Sequence, residues 1–457
     1  MSDVVVVGAG PSAHRLVERL RHHGFVGTLT LLGSTPDGRP PSPFGARDTE
    51  DADGTGPPSP FTVRGRVAGV RRIDRVRRRV LAYAAGTETA YPYDVLVLAT
   101  PARPLIPDVA GLVGVDGGPA EGVVAPGPAA TVAGATGDTV VVLGDGPSAV
   151  ETASALTARG TATTLVCTTP HPLHGQLGAT CSAMLAEELE RAGITVVGGA
   201  TVVGRSAGRL RLADGTTLRA DPLVLAAGTT PDTALARRAR LDVHTGIVVD
   251  DRLRTSDPLI HAFGDGTEHD GHVVDNPVDT WEQAEVLAEI LTGRTARYLP
   301  RPRALRLRTD LVDVATIGSP AELRRPGTRL VGLTDRPRRR YARLALRDGH
   351  VVAAVLLGLP QAIATIGFLH RRGQPLPSDR LGLLLGLPPR PASDGAPADE
   401  DGPVCLCNDV RERTLLRAWR AGSRTVAALA EATRATTGCG GCGRAVAELC
   451  GVWERAS

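Results

Sequence analysis

The chain has 457 residues, which predicts about three domains, and a hydrophobic content of 42% is sufficient to build their cores. A formal net charge of +3 and an aromatic content of 3% argue against a protein that binds nucleic acid or a membrane surface. The N-terminus lacks the pattern of a signal peptide, and no segment approaches the roughly 18 apolar residues of a transmembrane helix. We therefore expect a cytoplasmic protein. The basic residues are all arginine, which excludes chemistry that requires a lysine amine.

The sequence contains a duplication, and each copy begins with an apolar strand, a glycine-rich turn and a helix. VVVVGAGPSAHRLVERLRHHG at 4–24 is repeated as VVVLGDGPSAVETASALTARG at 140–160. Further along, YDVLVLATPARP at 93–104 is repeated as ADPLVLAAGTTPD at 220–232. Each helix ends at a glycine, and strands that alternate with helices predict a parallel sheet. We therefore predict an α/β fold with two nested Rossmann-like dinucleotide-binding domains.

Both glycine-rich turns carry the motif G-x-G-x-x-A, which is expected at a dinucleotide site. The first glycine permits a tight turn, the second lets a pyrophosphate approach the backbone, and the helix N-terminus faces the phosphates. One copy would be weak evidence, but two copies between a strand and a helix are strong evidence for two such sites. The motif residues are Gly8, Gly10, Pro11, Ser12 and Ala13 in the first copy and Gly144, Gly146, Pro147, Ser148 and Ala149 in the second.

A third element, IHAFGDGTEHDG at 260–271, has a strand that ends in Gly264 and Asp265. This carboxylate could bind a sugar or ribityl hydroxyl, although an isolated Asp-Gly pair is more simply a turn. A helix is predicted next, near 279–292. Residues 305–358 are predicted as strands, and they include a hairpin with Asp-Gly at its turn. The segment therefore predicts a small α+β domain after the nucleotide-binding domains.

Most of the 7 cysteines lie near the C-terminus, after a linker rich in Pro, Asp and Gly at 387–403. Cys405 and Cys407 form a C-x-C pair, and Cys439 and Cys442 form a C-x-x-C pair. Two short amphipathic helices are predicted between the pairs, and so small a core requires a metal centre to stabilise it. Zinc and an iron–sulfur cluster both accept four thiolates, and the C-x-C pair favours the cluster. A third helix is predicted after the second pair, and its N-terminus would favour an anionic centre.

Three segments resemble known families. Residues 1–300 resemble the flavoprotein reductases with two dinucleotide-binding domains. VVGAGPSAHRLVERL and WEQAEVLAEILTG resemble the N-terminal half of the large subunit of NAD(P)H-dependent assimilatory nitrite reductase, and residues 305–375 fit the small domain of that family. The cysteine segment resembles the bacterioferritin-associated-ferredoxin-like [2Fe–2S] domain. The resemblance implies three cofactors, namely FAD at the first motif, NAD(P)H at the second and a [2Fe–2S] cluster on the four cysteines.

The resemblance also implies site residues beyond the motifs and a set of domain boundaries. The FAD site would add Thr100, Gly264 and Asp265, and the NAD(P)H site would add Glu151 and Gly228. The implied domains are an FAD-binding domain at 1–108 and 244–297, an inserted NAD(P)-binding domain at 109–243, a small α+β domain at 298–375, a linker at 376–403 and a small helical [2Fe–2S] domain at 404–457.

The sequence departs from these families at both ribose sites. Ser34 and Thr35 stand where the first domain usually has an acid for the adenosine ribose. Elsewhere in the FAD site, Pro101 stands where the family usually has a glycine after Thr100. Cys167 and Thr168 stand where an acid would select NADH, and no arginine replaces that acid to select NADPH. The preference between the two nucleotides is therefore left open.

A flavin takes two electrons and releases them singly, so nicotinamide, flavin and cluster form a logical series. No cysteine precedes Cys167, which excludes the redox disulfide of the disulfide reductases, and the chain is expected to lack a sirohaem half because it ends at Ser457. It resembles the electron-transfer subunit of assimilatory nitrate reductase, whose partner is a molybdenum-containing catalytic subunit. Two alternatives remain. One is a reductase for another acceptor, such as an oxygenase, and the other is a degenerate flavoprotein whose cysteine domain senses redox state or binds metal.

Overall fold

The computed structural model describes residues 2–33, 61–66, 69–84, 86–115, 117–125, 139–274, 277–300, 304–307, 309, 311–385, 403–405, 410–436 and 442–455. The chain divides into two compact units. Unit 1 comprises Met1–Leu105 and Thr229–Arg301, and unit 2 comprises Ile106–Gly228 and Pro302–Ser457. The finer domain boundaries implied by the sequence stay predictions. Among the described residues, none of the helices combines the length and the apolar character needed to span a bilayer.

The elements are numbered in chain order. The first segment of unit 1 contains β1 (Ser2–Val7), α1 (Pro11–His22), β2 (Gly27–Leu32), β3 (Phe61–Arg66), β4 (Gly69–Asp74), β5 (Arg79–Ala84), β6 (Thr87–Pro92), β7 (Val95–Leu98) and β8 (Ala102–Pro104). The first segment of unit 2 contains β9 (Val123–Val124), β10 (Thr139–Leu143), α2 (Pro147–Ala158), β11 (Ala162–Val166), α3 (His174–Arg191), β12 (Ile194–Val197), β13 (Val202–Ser206), β14 (Arg209–Leu212), β15 (Thr217–Arg219) and β16 (Leu223–Leu225). Unit 1 resumes with β17 (Thr229–Pro231), α4 (Ala234–Arg238), β18 (Ile247–Val249), β19 (Ile260–Ala262), β20 (Thr267–His269), β21 (His272–Val273) and α5 (Pro277–Leu291). Unit 2 resumes with β22 (Ala304–Arg306), β23 (Val314–Ile317), a 3₁₀ helix (Pro320–Arg324), β24 (Arg329–Asp335), β25 (Arg340–Arg347), β26 (His350–Leu357), α6 (Pro360–Arg371), α7 (Arg380–Leu385), β27 (Pro403–Cys405), β28 (Val410–Arg411), α8 (Glu412–Arg420), α9 (Val426–Thr433) and α10 (Gly443–Arg455).

Unit 1 is built around a parallel sheet with the strand order β19-β7-β1-β2-β3. The valines of β1 are all buried, as expected for a parallel strand that is covered on both faces. Val7 pairs with Leu32 on one side and Leu98 on the other, so the carboxyl ends of three strands lie together. This edge of the sheet is where a doubly wound fold binds its ligand.

Helix α1 is amphipathic, and the face formed by Ala13, Leu16, Val17 and Leu20 is buried. The helix begins with Pro11, whose fixed φ suits a first helical position. It ends at His22, and Gly24 follows with φ +72°, so the predicted terminal glycine lies just beyond the C-cap. The second copy repeats this pattern, since Gly160 follows α2 with φ +85°.

An ionic cluster joins α1 to α5 in unit 1. The Glu285 carboxylate accepts hydrogen bonds from the Arg19 guanidinium at 2.8 Å and pairs with His23 Nε2 at 2.7 Å. Arg294 lies on the other side of the imidazole, with its guanidinium 2.8 Å from Nδ1. Partial burial acts to raise the pKa of Glu285, but the hydrogen bonds from Arg19 and His23 outweigh it and hold the pKa below its ordinary value. The carboxylate therefore contributes to stability only while it is ionised.

Unit 2 contains a second parallel sheet, with the strand order β12-β11-β10-β16-β9, and an antiparallel sheet with the order β22-β23-β26-β25-β24. Alternate residues of β26 face two different cores. Val355 and Leu357 pack in a cluster with residues of α3 such as Leu185, whereas Leu356 packs in a cluster with residues of α6 such as Ile363. The predicted hairpin is confirmed, and its turn consists of Asp348 and Gly349, both with positive φ.

The C-terminal part of unit 2 pairs β27 with β28 and packs three short helices around a small core. Trp419 of α8 and Trp453 of α10 belong to this core, with ring centroids 5.6 Å apart. The structure confirms both helices predicted between the cysteine pairs and the third helix after Cys442. Most of the predicted linker at 387–403 lies outside the described residues.

Candidate functional site: two nucleotide turns and a cysteine cluster

The first glycine turn passes directly against the end of β7. Gly8 has φ +133°, and a Cβ added there would lie 2.1 Å from the carbonyl oxygen of Ala99. The amide of Gly8 donates to the carbonyl oxygen of Leu32 at 2.9 Å, so the turn is held between the ends of β2 and β7, the two strands that flank β1. Only glycine satisfies both the backbone angle and the close approach. The first glycine of the motif is therefore required by the fold itself.

Gly10 has a different role, because no atom lies within 4 Å of the position that its Cβ would occupy. It is the N-cap of α1 without a side-chain cap, and the first turn of the helix carries no acidic residue. The first amides of a helix have no intrahelical acceptor, so they can bind an anion that approaches through this open space. Ser12 and Ala13 lie in that turn. The residues present thus fit a pyrophosphate.

Gly264 and Asp265 lie next to this helix N-terminus, as the sequence predicts for one binding site. A Cβ at Gly264 would be 3.5 Å from Ser12 Oγ, and Gly264 itself has φ +85°. The hydroxyl of Thr280 donates to Asp265 Oδ1 at 3.2 Å. The structure therefore brings the predicted residues Ser12, Gly264 and Asp265 together at the carboxyl edge of the sheet in unit 1.

Gln283 belongs to the same site, although the sequence did not indicate it. Its Oε1 accepts a hydrogen bond from the amide of Gly264 at 2.7 Å, and the side chain is fully buried. Among the described residues, Nε2 of Gln283 has no hydrogen-bond partner. A buried amide donor without a partner is costly, and a polar ligand would supply the missing acceptor. The signal that was available is a glutamine on the apolar face of an amphipathic helix, beside Ala284 and Leu287.

Thr100 follows β7 and contacts the loop that carries Gly264 and Asp265. A Cβ at Gly266 would lie 3.0 Å from Thr100 Oγ1, so the threonine contacts the segment that carries Asp265. Its hydroxyl donates to the carbonyl oxygen of Asp232 at 3.4 Å. Asp232 also binds the Arg103 guanidinium at 2.7 Å, a contact between β8 and the residue that follows β17. Thr100 thus lies beside the predicted FAD-site residues of unit 1.

The second glycine turn repeats the geometry of the first in unit 2. A Cβ at Gly144 would lie 2.2 Å from the carbonyl oxygen of Ala226, and nothing lies within 4 Å of the Cβ position of Gly146. The amide of Gly144 donates to Val166 at 3.0 Å. Pro147 and Ser148 begin α2, Glu151 is half-buried on the next turn of that helix, and Gly228 has φ +105° in open space. This turn also fits a pyrophosphate.

Cys167 follows β11 but is not placed to contact a nucleotide. Its Sγ is buried and lies 3.4 Å from the carbonyl oxygen of Gly144, to which the thiol donates. Burial raises the pKa of Cys167 to about 12, and burial likewise raises the pKa of Cys181 on α3 to about 12. Both thiols are therefore neutral packing groups.

Two of the four predicted cluster ligands, Cys405 and Cys442, are buried in the core of the C-terminal helices. The other two, Cys407 and Cys439, lie outside the described residues. The amide of Thr436, which has φ +68°, donates to Cys442 Sγ at 3.3 Å. Buried sulfur that accepts a backbone N–H fits a thiolate ligand of an iron–sulfur cluster, whose potential such bonds tune. Thr436 is a contributor that the sequence did not indicate.

The fold and these turns define a protein with two dinucleotide-binding sites and a cysteine-containing group of helices in the C-terminal part of unit 2. The chain belongs to the pyridine nucleotide-disulphide oxidoreductase family, whose sequence model matches residues 2–286. Residues 403–450 match the BFD-like [2Fe-2S] binding domain. These matches confirm the predicted fold class, the assignment as a NAD(P)H-dependent FAD-containing oxidoreductase and the three cofactors. The individual binding residues stay predictions.

Two curated relatives and one solved structure illustrate the similarity. The nitrite reductase [NAD(P)H] large subunit of Klebsiella oxytoca is 32% identical over 391 residues, which cover 83% of this chain and 40% of that protein. The assimilatory nitrate reductase electron transfer subunit of Bacillus subtilis is 27% identical over 318 residues, 67% of this chain and 40% of that protein. The chain thus spans well under half the length of either relative. The covalent putidaredoxin reductase–putidaredoxin complex has the same fold, with a TM-score of 0.66 at 24% identity over 83% of this chain and 95% of the other.

Proposed function

We propose that the protein oxidises NADH or NADPH and passes the electrons singly to a partner reductase of nitrate or nitrite assimilation. The observation that carries the proposal is the presence, in one chain, of two open glycine turns and a buried cysteine site. FAD, when bound, accepts two electrons from a nicotinamide and releases them one at a time, which matches the one-electron capacity of a [2Fe–2S] cluster. A chain with all three sites can therefore convert a two-electron donor into a one-electron source.

The residues of each site have distinct tasks in this proposal. The amides of the first turn of α1 bind the FAD pyrophosphate, and Asp265 and Gln283 orient the sugar side of the same cofactor. The amides at the start of α2 bind the pyrophosphate of the nicotinamide nucleotide. In the C-terminal helices, burial of Cys405 and Cys442 keeps water from the sulfur atoms, and the Thr436 amide stabilises negative charge on Cys442.

The assimilatory role is supported by the names of the relatives. One is a nitrite reductase large subunit and another is an electron transfer subunit of a nitrate reductase. Both matches extend over at least two thirds of this chain. In this proposal the catalytic centre of the nitrate or nitrite reductase lies on a separate partner subunit.

The test is anaerobic absorbance spectroscopy of the purified, cofactor-loaded protein, followed by an acceptor assay. We expect NADH or NADPH to bleach the flavin bands and then the broader iron–sulfur absorption. The reduced protein should then support nitrate or nitrite reduction by the purified terminal reductase. A protein that stays colourless after FAD is supplied would contradict the proposal, as would rapid reduction of an oxygenase-type ferredoxin without any transfer to either reductase.

The Cys442→Ser variant provides a control within the same chain. It should keep the bleaching of flavin by nicotinamide and lose transfer to the terminal reductase, because only the cysteine site is altered. If the variant transferred electrons to the reductase at the wild-type rate, the cysteine domain would not lie on the electron path.

A further inference from the structure

The second nucleotide turn carries a charged residue, Asp145, between its two glycines. The side chain leaves the turn toward the end of β11, where its Oδ2 accepts a hydrogen bond from the Thr168 hydroxyl at 2.6 Å. Its Oδ1 accepts bonds from the amide of Thr169 at 2.8 Å and from the Thr169 hydroxyl at 2.6 Å. The carboxylate is therefore fixed at the carboxyl ends of two adjacent strands, β10 and β11.

The first copy shows that this direction is a property of the turn. There the middle residue is Ala9, and its Cβ lies 3.0 Å from the Cβ position of Gly33, the residue that follows β2. In the parallel registers, Val7 pairs with Leu32 and Leu143 pairs with Val166. Gly33 in the first copy therefore corresponds to Cys167 in the second. In both copies, the middle residue of the glycine turn faces the segment that follows the second strand.

That segment is where a dinucleotide fold binds the adenosine ribose. An acid there usually accepts a hydrogen bond from the ribose 2′-hydroxyl of NAD, and an arginine there accommodates the 2′-phosphate of NADP. This chain has Cys167 and Thr168 at that place, and the thiol of Cys167 is buried against Gly144. Asp145 delivers a carboxylate to the same place from a different position in the sequence. We propose that Asp145 makes this protein select NADH over NADPH.

The environment of Asp145 preserves its negative charge. Partial burial acts to raise the pKa of Asp145, but the hydrogen bonds from Thr168 and Thr169 outweigh it and hold the pKa below its ordinary value. All three donors are neutral, so they orient the carboxylate without neutralising it. Among the described residues, Oδ2 accepts only the bond from Thr168, so this oxygen has a further acceptor direction available for a ribose hydroxyl. A 2′-phosphate at the same place would bring a second anion close to the carboxylate and be repelled.

The experiment measures binding of NAD⁺ and NADP⁺ to the full-length, cofactor-loaded protein by isothermal titration calorimetry, because the oxidised nucleotides do not turn over. We expect the wild-type protein to bind NAD⁺ at least about tenfold more tightly than NADP⁺, which corresponds to about 1.4 kcal/mol. Asp145→Asn should reduce this ratio to about threefold or less, chiefly by improving the binding of NADP⁺. Asp145→Ala removes the carboxylate with a smaller side chain and should shift the ratio in the same direction.

Asp214→Asn is the matched control. Asp214 is an exposed carboxylate in the β14–β15 turn of the same unit, and it accepts a hydrogen bond from the Thr216 amide at 2.8 Å. This substitution removes one negative charge from the unit without touching the nucleotide turn, so the ratio should stay at the wild-type value. Thermal unfolding of each variant by circular dichroism shows whether it remains folded.

Several results would overturn the inference. It fails if the wild-type protein binds NADP⁺ as tightly as NAD⁺, or if folded Asp145→Asn and Asp145→Ala variants keep the wild-type ratio. It also fails if both variants lose affinity for the two nucleotides equally. The inference rests on the proposed nicotinamide oxidation, but the binding ratio requires no electron acceptor. A protein that binds NAD⁺ selectively and yet reduces no terminal reductase would refute the proposed function alone.

Discussion

The two glycines of the first turn should respond differently to substitution by alanine. In Gly8→Ala the new methyl group would lie 2.1 Å from the carbonyl oxygen of Ala99 and the backbone would keep φ near +133°. Such a backbone angle costs a non-glycine residue about 1–3 kcal/mol, and overpacking against an atom that cannot rotate away costs about 1–3 kcal/mol more. We expect the free energy of unfolding of unit 1 to fall by about 4 kcal/mol, a large part of the usual 5–15 kcal/mol.

Gly10→Ala is the matched variant, because φ at Gly10 is −79° and its Cβ would meet no atom within 4 Å. Its effect on the unfolding free energy of the cofactor-free chain should stay within about 0.5 kcal/mol. The methyl group would nevertheless occupy the space through which a pyrophosphate approaches the helix amides. We therefore expect FAD affinity to fall at least about tenfold, or about 1.4 kcal/mol.

Thermal unfolding followed by circular dichroism, together with titration by flavin fluorescence, separates the two effects. For a unit of this size a loss of about 4 kcal/mol lowers the transition of unit 1 by roughly 8–16 °C. The close approach of the turn to β7 would be refuted if Gly8→Ala unfolded within about 3 °C of the wild-type protein. The assignment of the turn to FAD would be refuted if Gly10→Ala bound FAD with unchanged affinity.

Three further outcomes are expected. Cys442→Ser should abolish the iron content and the iron–sulfur absorbance of the purified protein, whereas Cys450→Ser, on the helix that follows Cys442, should retain both; equal iron in the two variants would remove Cys442 from the ligand set. Because burial raises the pKa of Cys167 and of Cys181 to about 12, neither thiol should react with iodoacetamide near pH 8 until urea unfolds the chain, as peptide mass spectrometry would show. Glu285→Gln should cost about 0.5–1 kcal/mol at neutral pH after solvent screening. The folded-state pKa of Glu285 lies below its ordinary 4.5, so the stability difference between the wild-type protein and this variant should be complete above about pH 5 and vanish as the pH falls through the folded-state pKa. Urea unfolding of both proteins at the two ends of this pH range measures the difference. A difference that persists at the acidic end would contradict the expectation.

The parts of the fold that the sequence predicted are those with strong local signals. Strand, glycine turn and helix follow one another within about twenty residues in both copies, and the turn at Asp348 and Gly349 joins adjacent strands. The helices around the cysteines were also predicted, because their apolar residues recur at helical spacing. In each case the residues that determine the element are neighbours in the chain, so no knowledge of the tertiary structure was needed.

The site residues that the sequence missed depend on contacts between distant segments. Gln283 binds the amide of Gly264 from 19 residues away, and Asp145 reaches Thr168 from 23 residues away. The position of Gln283 on an apolar helix face marks it as unusual, but nothing in the segment of either residue shows which distant segment it contacts. Strand β26 likewise depends on contacts with distant segments, although its sequence indicates an apolar strand covered on both faces. The pattern shows that two layers cover it, but it does not show that one of them is α3.

The two glycine turns share one backbone geometry but differ at their middle residue, which is Ala9 in the first copy and Asp145 in the second. Both turns direct that residue toward the end of the second strand, so either copy could place a charge beside an adenosine ribose. FAD has no abundant analogue that differs by one phosphate on this ribose, and Ala9 at the first turn offers no discriminating group. The nicotinamide nucleotides differ by that phosphate alone, so the second turn is the one at which a charge provides selectivity. The same backbone geometry at Gly8 and Gly144 therefore supports an unselective site and a selective one, and a single side chain, Asp145, makes the difference.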